Sequence, residues 1–256
     1  MNAVLTGEYL AMPYVTAAGK LIYFAHVPKA GGSSVENYLA ARFGPLAMLD
    51  RNWTRYRFDE GGWRTSSLRC SPQHVAAEDV SRLLPRAPDW SFAVIRDPAG
   101  RLISEYRWHR SNAPRRGRRY LTKLGFSIWL QIMVQAVRRD PTIFDNHLRP
   151  QADIVLEDAE IFRLEDGFAP LVARIDTVTG AQAPELSIGH DLKAKADVVA
   201  QPSARDLALI AKVYARDYAL GGYERPATRV SPSPGAALIG WIARPVVAML
   251  WHRGLL

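Results

Sequence analysis

The chain has 256 residues, of which 33 are Lys or Arg and 25 are Asp or Glu, so its formal net charge is +8. Its composition, 48% hydrophobic and 23% charged, is that of a globular protein and excludes a wholly disordered chain, a collagen and a disulfide scaffold. The basic excess favours an anionic partner, which can be a nucleotide, a nucleic acid, an acidic glycan or an anionic lipid. The single cysteine, Cys70, excludes an intrachain disulfide and a cysteine-rich zinc site and favours a reducing, cytoplasmic setting.

The order of apolar runs predicts the fold class. Residues 1–19 are expected to be a weakly structured lead-in, and they lack the pattern of a signal peptide. In chain order, the patterns then predict a strand over 21–27, helices over 35–43 and 75–84, a strand over 90–95, helices over 101–110 and 126–137, short strands over 154–156 and 161–164, and helices over 168–175 and 203–218. Alternating strands and helices indicate a single α/β domain over residues 20–225, with a central parallel β-sheet flanked by helices.

The C-terminal part is different in composition. Residues 226–235 are rich in Pro and Ser and are expected to be a linker, and residues 236–256 form an apolar helix that Arg244 and Pro245 interrupt. No stretch reaches the roughly 18 apolar residues that a membrane span needs. Residues 236–251 therefore have two interpretations, a helix packed on the domain or on a partner, and a peripheral membrane anchor.

The turn after the first strand has the composition of an anion-binding loop. It contains Lys29, Ala30, Gly31, Gly32, Ser33 and Ser34. The glycines let the backbone approach a ligand, the following helix offers unpaired N–H groups, and the lysine and serines add a charge and hydroxyl donors. The lysine precedes the glycines, unlike in the nucleotide motif GxxxxGK[ST], so an ordinary kinase or GTPase is not expected. A plain strand-to-helix turn is the alternative.

A second candidate phosphate site follows the strand over 90–95. Arg96 lies at the carboxyl end of that strand, where ligands bind in open α/β sheets, and Ser104 lies eight residues further on in the next helix. An arginine can hold a phosphate with two parallel hydrogen bonds, and a serine can add a third. A surface arginine and an ordinary helix serine are the alternative.

These two motifs, in this order, resemble those of the sulfotransferase superfamily. The run RDPAGRLISEY from Arg96 to Tyr106 and the segment NHLRPQ from Asn146 to Gln151 are similar to the branch that includes carbohydrate sulfotransferases. The resemblance covers roughly residues 20–225 and implies a P-loop-like fold, no metal, and the sulfuryl donor 3′-phosphoadenosine 5′-phosphosulfate. It assigns residues 29–34 to the 5′-phosphosulfate, and Arg96 and Ser104 to the 3′-phosphate that remains in the product, adenosine 3′,5′-bisphosphate.

Sulfuryl transfer needs positive charge where the leaving oxygen gains charge, and a base for the proton of the acceptor hydroxyl. Lys29 is the candidate for the charge. His74 is the first candidate for the base, because its segment resembles that of the histidine base in hexuronyl 2-O-sulfotransferases. Glu36, in the first turn of the helix after the loop, is the second, because some branches of the family use a glutamate. The alternatives are a surface or helix-capping histidine and a solvated carboxylate, and His26 is expected in the core beside the loop.

Basic residues suggest how an acceptor is held. The segment after the second motif carries Arg115 and Arg116, which are either part of a solvated basic face or a lip for an acidic acceptor, and Arg149 in NHLRPQ is a further candidate contact. The segment lacks the interleaved aromatic residues of a nucleic-acid reader. We therefore expect a metal-independent sulfotransferase that acts on a hydroxyl of a carbohydrate or glycoconjugate. The alternatives are a nucleotide-dependent phosphotransferase, and a non-catalytic domain that binds an acidic glycan or a membrane.

Overall fold

The computed structural model describes residues 14–44, 46, 69–111, 123–182, 187–188, 200–227 and 234–252. Within these ranges four strands form one sheet in the order β1-β2-β3-β4: β1 (Tyr14–Ala17), β2 (Lys20–Ala25), β3 (Trp90–Ile95) and β4 (Glu160–Arg163). β2, β3 and β4 are parallel to one another, whereas β1 pairs with β2 antiparallel. The predicted α/β fold with a central, mostly parallel sheet is confirmed. The expectation of a weakly structured lead-in is wrong for residues 14–17, which form the edge strand β1 of a hairpin.

Helices and short 3₁₀ turns connect the strands. The helices are α1 (Gly32–Phe43), α2 (Ala77–Val80), α3 (Pro98–Ser111), α4 (Phe126–Arg139), α5 (Ala169–Thr179), α6 (Ala204–Val213), α7 (Ala215–Gly221) and α8 (Pro234–His252). The 3₁₀ turns are Pro72–His74, Gln151–Asp153 and Leu164–Asp166. A capping box formed by Ser203 and Asp206 begins α6.

The two central strands, β2 and β3, carry apolar side chains on both faces, and both faces are covered by other parts of the chain. On one face, Tyr23 and Ala93 pack with Val75 and Ile154. On the other face, Phe24 stacks on Phe92 with 5.1 Å between ring centroids, next to residues of α1 and α5. This arrangement fixes the sheet between helices, so the chain segments that leave the carboxyl ends of β2 and β3 emerge side by side.

Three sequence predictions differ from the structure. The run over 154–156 is not a strand, because the N–H groups of Ile154 and Val155 both bond to the carbonyl of Gln151 in a turn. The helix predicted over 75–84 is the single turn α2. The helix predicted over 203–218 is divided at Tyr214, whose hydroxyl is buried and donates to the carbonyl of Leu148.

α8 packs along α4. Gly240 makes this approach possible, since a Cβ there would lie 2.8 Å from the carbonyl oxygen of Gln131 in α4. Val247 and Ala248 are buried in the same contact. In the part of the chain that the structure describes, no helix has both the length and the apolar character needed to cross a membrane. Most of the expected linker, residues 228–233, lies outside the described ranges.

Candidate functional site

The two predicted phosphate motifs meet at one edge of the sheet. Lys29 follows β2 and Arg96 follows β3, which are parallel neighbours. The guanidinium of Arg96 donates from Nη1 to the carbonyl oxygen of Lys29 at 3.4 Å. Lys29 has a φ of 66°, a left-handed conformation that is unfavourable for a lysine and that a structure keeps where other contacts fix it. Lys29 and Arg96 therefore lie where the sequence predicted them, at the carboxyl ends of two strands.

The glycines of the loop have a packing role that the sequence did not predict. A Cβ at Gly32 would lie 2.1 Å from Nε2 of His26, and a Cβ at Gly31 would lie 2.9 Å from the ring of Phe168. Gly31 also has a φ of 86°. The missing side chains thus make room for the protein's own aromatic rings beneath the loop. α1 begins here without a side-chain cap, so its first N–H groups are not used by a capping side chain.

Lys29 and Arg96 are half-buried cations. Burial lowers the pKa of Lys29, and the nearby Glu105 opposes this shift while Arg96 adds to it. Burial also lowers the pKa of Arg96, and Glu165 and Asp97 oppose the shift. Among the residues that the structure describes, no carboxylate forms an ion pair with either cation. Two partly desolvated positive charges without a carboxylate at contact distance fit an anionic ligand.

A buried glutamine holds the backbone of Arg96. Gln151 accepts from the N–H of Arg96 at 3.0 Å and donates from Nε2 to the carbonyl of Arg96 at 2.8 Å. Asp217, itself buried, accepts from the N–H groups of Gln151 and Ala152 at 2.9 and 3.1 Å. Gln151 belongs to the NHLRPQ segment, so one function of that segment is to fix the position of Arg96.

Helix α3 presents one face to the loop. Gly100, Ser104 and Trp108 are spaced four residues apart and therefore lie on the same face. Gly100 lies against Arg96, since a Cβ there would be 3.3 Å from Nε of that arginine. Nζ of Lys29 lies 5.4 Å from the ring centroid of Trp108. The half-buried Ser104 thus lies between the contacts that α3 makes with the two cations.

His74 is not a surface histidine. It is buried in the 3₁₀ turn Pro72–His74, and its Nδ1 lies 2.8 Å from Oδ2 of Asp145. Burial opposes ionisation of Asp145, but the charge and hydrogen bond of His74, the charge of His147 and the N–H of Ser71 outweigh it and lower the pKa of Asp145 to about 2. An ionised Asp145 orients the imidazole so that Nδ1 carries the hydrogen and Nε2 offers the lone pair.

The Asp145 carboxylate is fixed by the neighbouring turn. Ser71 donates to it from its backbone N–H and, at 2.7 Å, from its hydroxyl. Asn146, which is fully buried, donates to the carbonyl of His74 at 2.8 Å. Nothing in the sequence singled out Asp145, which lies 71 residues from His74 along the chain. Its one signal is its position directly before the NHLRPQ segment.

A second histidine and carboxylate lie beside the first pair. Nδ1 of His147 is 2.9 Å from Oε2 of Glu105, and Nε2 of His109 is 3.0 Å from Oε1 of the same carboxylate. Burial opposes ionisation of Glu105, but the two histidines hold the pKa of this carboxyl well below its ordinary value. Burial lowers the pKa of His147, and Glu105 and Asp145 offset this only in part. Glu105 directly follows Ser104 in the second phosphate motif, but the motif did not indicate its histidine partners.

Glu36 is not a solvated carboxylate. It is buried, and its Oε1 lies 2.5 Å from Nδ1 of His26. Gln73, next to His74, donates from Nε2 to Oε2 of Glu36 at 3.3 Å. His26 therefore lies beside the loop, as expected, and both oxygens of Glu36 already have partners.

The aromatic rings form a continuous row from Trp108 to His26. Ring centroids are 5.4 Å apart for Trp108 and His147, 4.9 Å for His147 and His74, and 4.9 Å for His74 and His26. The row therefore extends from Trp108, which Lys29 contacts, to the candidate base His74 and to His26. His74, Asp145 and His147 also offer metal-ligating atoms within 4.8 Å of one another, a grouping that the sequence did not predict.

The predicted acceptor contacts are not brought into this cluster. Arg149 donates to Glu78 at 2.8 Å and lies 3.8 Å from Asp153. Arg115 and Arg116 lie outside the described residues. A depression of 520 Å³ opens at the same edge of the sheet, between the end of β4 and the end of α7, and Arg163, Gly167, Leu220 and Gly221 contribute to its lining. Its volume is within the range of small-molecule sites.

Comparison with protein families gives a match over most of the chain. The model of the family described as "Sulfotransferase family" matches residues 12–224, which include the loop, Arg96, Ser104 and every histidine pair described above. No curated protein and no solved structure matched the chain.

Proposed function

The chain belongs to the sulfotransferase family, and we propose that it transfers a sulfuryl group from 3′-phosphoadenosine 5′-phosphosulfate to a hydroxyl of a carbohydrate or glycoconjugate without a metal. The observation that carries the donor assignment is the pair of half-buried cations, Lys29 and Arg96, neither of which has a carboxylate partner among the described residues. The guanidinium of Arg96 bonds the backbone carbonyl of Lys29 at 3.4 Å, which keeps the two residues together. Two separate positive sites on adjacent strands suit a ligand with two phosphate positions better than they suit a single phosphate.

Each part of the site has a role in this proposal. The residues of the loop, from Lys29 to Ser34, hold the 5′-phosphosulfate, and Arg96 with Ser104 holds the 3′-phosphate. The depression between β4 and α7 is beside Arg96, because Gly221 at its rim packs on Ile95, and it provides space for the nucleoside. When bound, the donor supplies the sulfuryl group and a phosphate leaving group. Lys29 stabilises the negative charge that develops there.

His74 is the base in this proposal. Its Nδ1–H is directed at Asp145, so Nε2 takes the proton of the acceptor hydroxyl, and Asp145 stabilises the imidazolium that results. Glu36 is the weaker candidate, because His26 and Gln73 occupy its carboxylate. His147 has the same arrangement as His74, with Glu105 as its carboxylate. It is a further candidate base, which the sequence did not indicate.

Two parts of the proposal go beyond the family assignment: the carbohydrate acceptor and the absence of a metal. A basic acceptor lip, including Arg115 and Arg116, is supported by the net charge of +8 and by the resemblance to carbohydrate sulfotransferases. The acceptor class is identified by sulfuryl transfer to oligosaccharides with and without a uronic acid. The sulfated product is detected by mass spectrometry. Activity that survives a chelator supports metal independence, whereas loss that Mg²⁺ restores favours the phosphotransferase alternative.

Calorimetric titration with adenosine 3′,5′-bisphosphate tests the donor site, with 5′-AMP as the control ligand. We expect binding that depends on the 3′-phosphate. Arg96→Ala lowers this affinity by roughly 10- to 150-fold, which corresponds to the loss of about 1.5–3 kcal/mol from a hydrogen bond to a charged group. Arg82→Ala removes an exposed arginine paired with Asp79 and leaves the affinity unchanged. Equal binding of both nucleotides, or an unaffected Arg96→Ala, contradicts the assignment.

A further inference from the structure

Helix α8 has two different faces. Gly240, Val247 and Ala248 lie against the domain. The opposite face carries large apolar side chains that are between 44% and 58% exposed: Leu238, Ile239, Trp241, Ile242, Val246 and Met249. Positions 238, 241, 242, 246 and 249 recur at helical spacing, so the exposed apolar side chains form a continuous stripe along the helix. A monomeric soluble protein rarely exposes such a stripe unless it binds something.

Arginines border the stripe on one side. Arg69 and Arg139 line a notch of 360 Å³ together with Pro245, Ala248 and Met249 of α8. Neither arginine forms an ion pair within the described ranges. Arg244 lies on the same helix, and its guanidinium is 5.4 Å from the ring centroid of Trp241.

The single acid in the lining of the notch is occupied elsewhere. Asp140 accepts through Oδ1 from the N–H and the hydroxyl of Thr142, at 2.9 and 2.6 Å. With two arginines and one carboxylate in its lining, the notch has an excess of positive charge at its polar end, and it is apolar at its α8 end. This combination matches a lipid, whose phosphate and acyl chain are covalently joined, and not a purely apolar or a purely anionic ligand.

We propose that the exposed face of α8 and the adjoining notch bind the surface of an anionic lipid bilayer. The helix lies along α4 and is about 28 Å long by its 19 residues, so it enters the membrane interface sideways by its apolar face. Trp241 has the amphipathic ring that favours the interfacial layer, and Arg69, Arg139 and Arg244 meet the lipid phosphates.

A second copy of the chain is a less suitable occupant of this face. Packing two stripes against each other about a twofold axis would bring the arginines of both copies together, and such like-charge contacts are costly. Among the described residues of the notch, Asp140 is the single carboxylate, so it can offset the charge of only one arginine of each copy. An anionic surface instead complements the arginines and also the net charge of +8.

Sedimentation of the full chain with lipid vesicles tests the proposal. The probes are vesicles of phosphatidylcholine and vesicles of phosphatidylcholine mixed with phosphatidylglycerol, at low and high salt. We expect binding to the second kind that weakens with salt. Ile242→Glu places a charge in the stripe and lowers partitioning by roughly tenfold or more. Its control is Thr177→Glu, which adds the same charge at an exposed position of α5.

The charged part of the site has its own variant and control. Arg139→Glu lowers binding to the anionic vesicles, whereas Arg82→Glu makes the same charge change at an arginine that is 74% exposed and leaves binding unchanged. The proposal is overturned if the wild type binds neither vesicle, if it binds both kinds equally, or if the control variants lose as much as the test variants. Sedimentation velocity that shows a dimer sensitive to Ile242→Glu, without vesicle binding, assigns the face to a second copy instead.

Discussion

Replacement of Asp145 by asparagine tests the role of Asp145 in orienting His74 without changing the residues that bind the donor. Asn keeps the size of the side chain and removes its charge. The carboxylate accepts from Nδ1 of His74 at 2.8 Å and from the hydroxyl of Ser71 at 2.7 Å, and it makes no contact with Lys29 or Arg96. Asp145→Asn therefore leaves the phosphate sites intact and weakens the support for the imidazolium that forms as His74 accepts a proton.

The size of this effect follows from the general strength of a hydrogen bond to a charged group. A hydrogen bond to a charged group contributes about 1.5–3 kcal/mol, and each 1.4 kcal/mol is about a tenfold change in rate, so kcat should fall by roughly 10- to 150-fold. The affinity for adenosine 3′,5′-bisphosphate should stay within about twofold of the wild type, because that ligand does not need the imidazolium. Initial rates of sulfuryl transfer and calorimetric titration measure the two quantities on the same preparation.

Acid stability provides an independent measurement on the same variant. The pKa of Asp145 is about 2 in the folded protein and 3.8 when unperturbed, a difference worth about 2 kcal/mol of stability. Since the folded pKa is the lower one, this contribution is present above about pH 4 and is lost as the pH falls through about 2. The difference in unfolding free energy between wild type and Asp145→Asn should therefore shrink as the pH falls from about 5 towards 2. Unchanged kcat, or a loss of nucleotide affinity as large as the loss of kcat, would refute the role given to Asp145.

Three further predictions concern the same site. His74→Ala should lower kcat by roughly 10²–10⁴-fold without affecting nucleotide affinity; if it stays active while Glu36→Gln is inactive, the base is Glu36. Gly32→Ala should destabilise the fold by about 1–3 kcal/mol in denaturant titration, because the new Cβ would lie 2.1 Å from Nε2 of His26. Gly235→Ala, where nothing lies within 4 Å of the new Cβ, is its control and should cost nothing. Chelation of divalent metals should leave initial rates unchanged, and a loss of rate that tracks metal removal would instead assign a metal to His74, Asp145 and His147.

The local features of the fold could be predicted from the sequence. The apolar runs that became β2 and β3 are buried on both faces, so their composition alone identified them, and β3 occupies the predicted residues 90–95. The run over 154–156 has the same composition but is a buried turn, because apolar character reports burial and not the partner of the backbone N–H groups. β1 was missed for a related reason, since a short edge strand has one exposed face and a weak pattern.

The positions of the two cations were also predictable, because each follows a strand directly and parallel strands end at a common edge. The partners of the histidines were not predictable. Asp145 and Glu105 lie 71 and 42 residues from the histidines that they bond, and such pairing depends on how whole segments pack. The packing role of Gly32 was not predictable for the same reason, since only the packed structure shows that His26 fills the space beside it.

The backbone turn that carries Asp145 is strained, and its side chains make contacts that offset the strain. Phe144, Asp145 and Asn146 have consecutive φ values of 52°, 61° and 60°, a conformation that costs a non-glycine residue about 1 kcal/mol or more. Glycine would relieve this cost at each position, but each side chain has a contact that glycine cannot make: Phe144 is buried in the core, Asp145 bonds His74 and Ser71, and Asn146 bonds the carbonyl of His74. The strained turn therefore fixes both ends of the His74 residue, its ring through Asp145 and its backbone through Asn146, and this double attachment gives the imidazole a single orientation before any ligand binds.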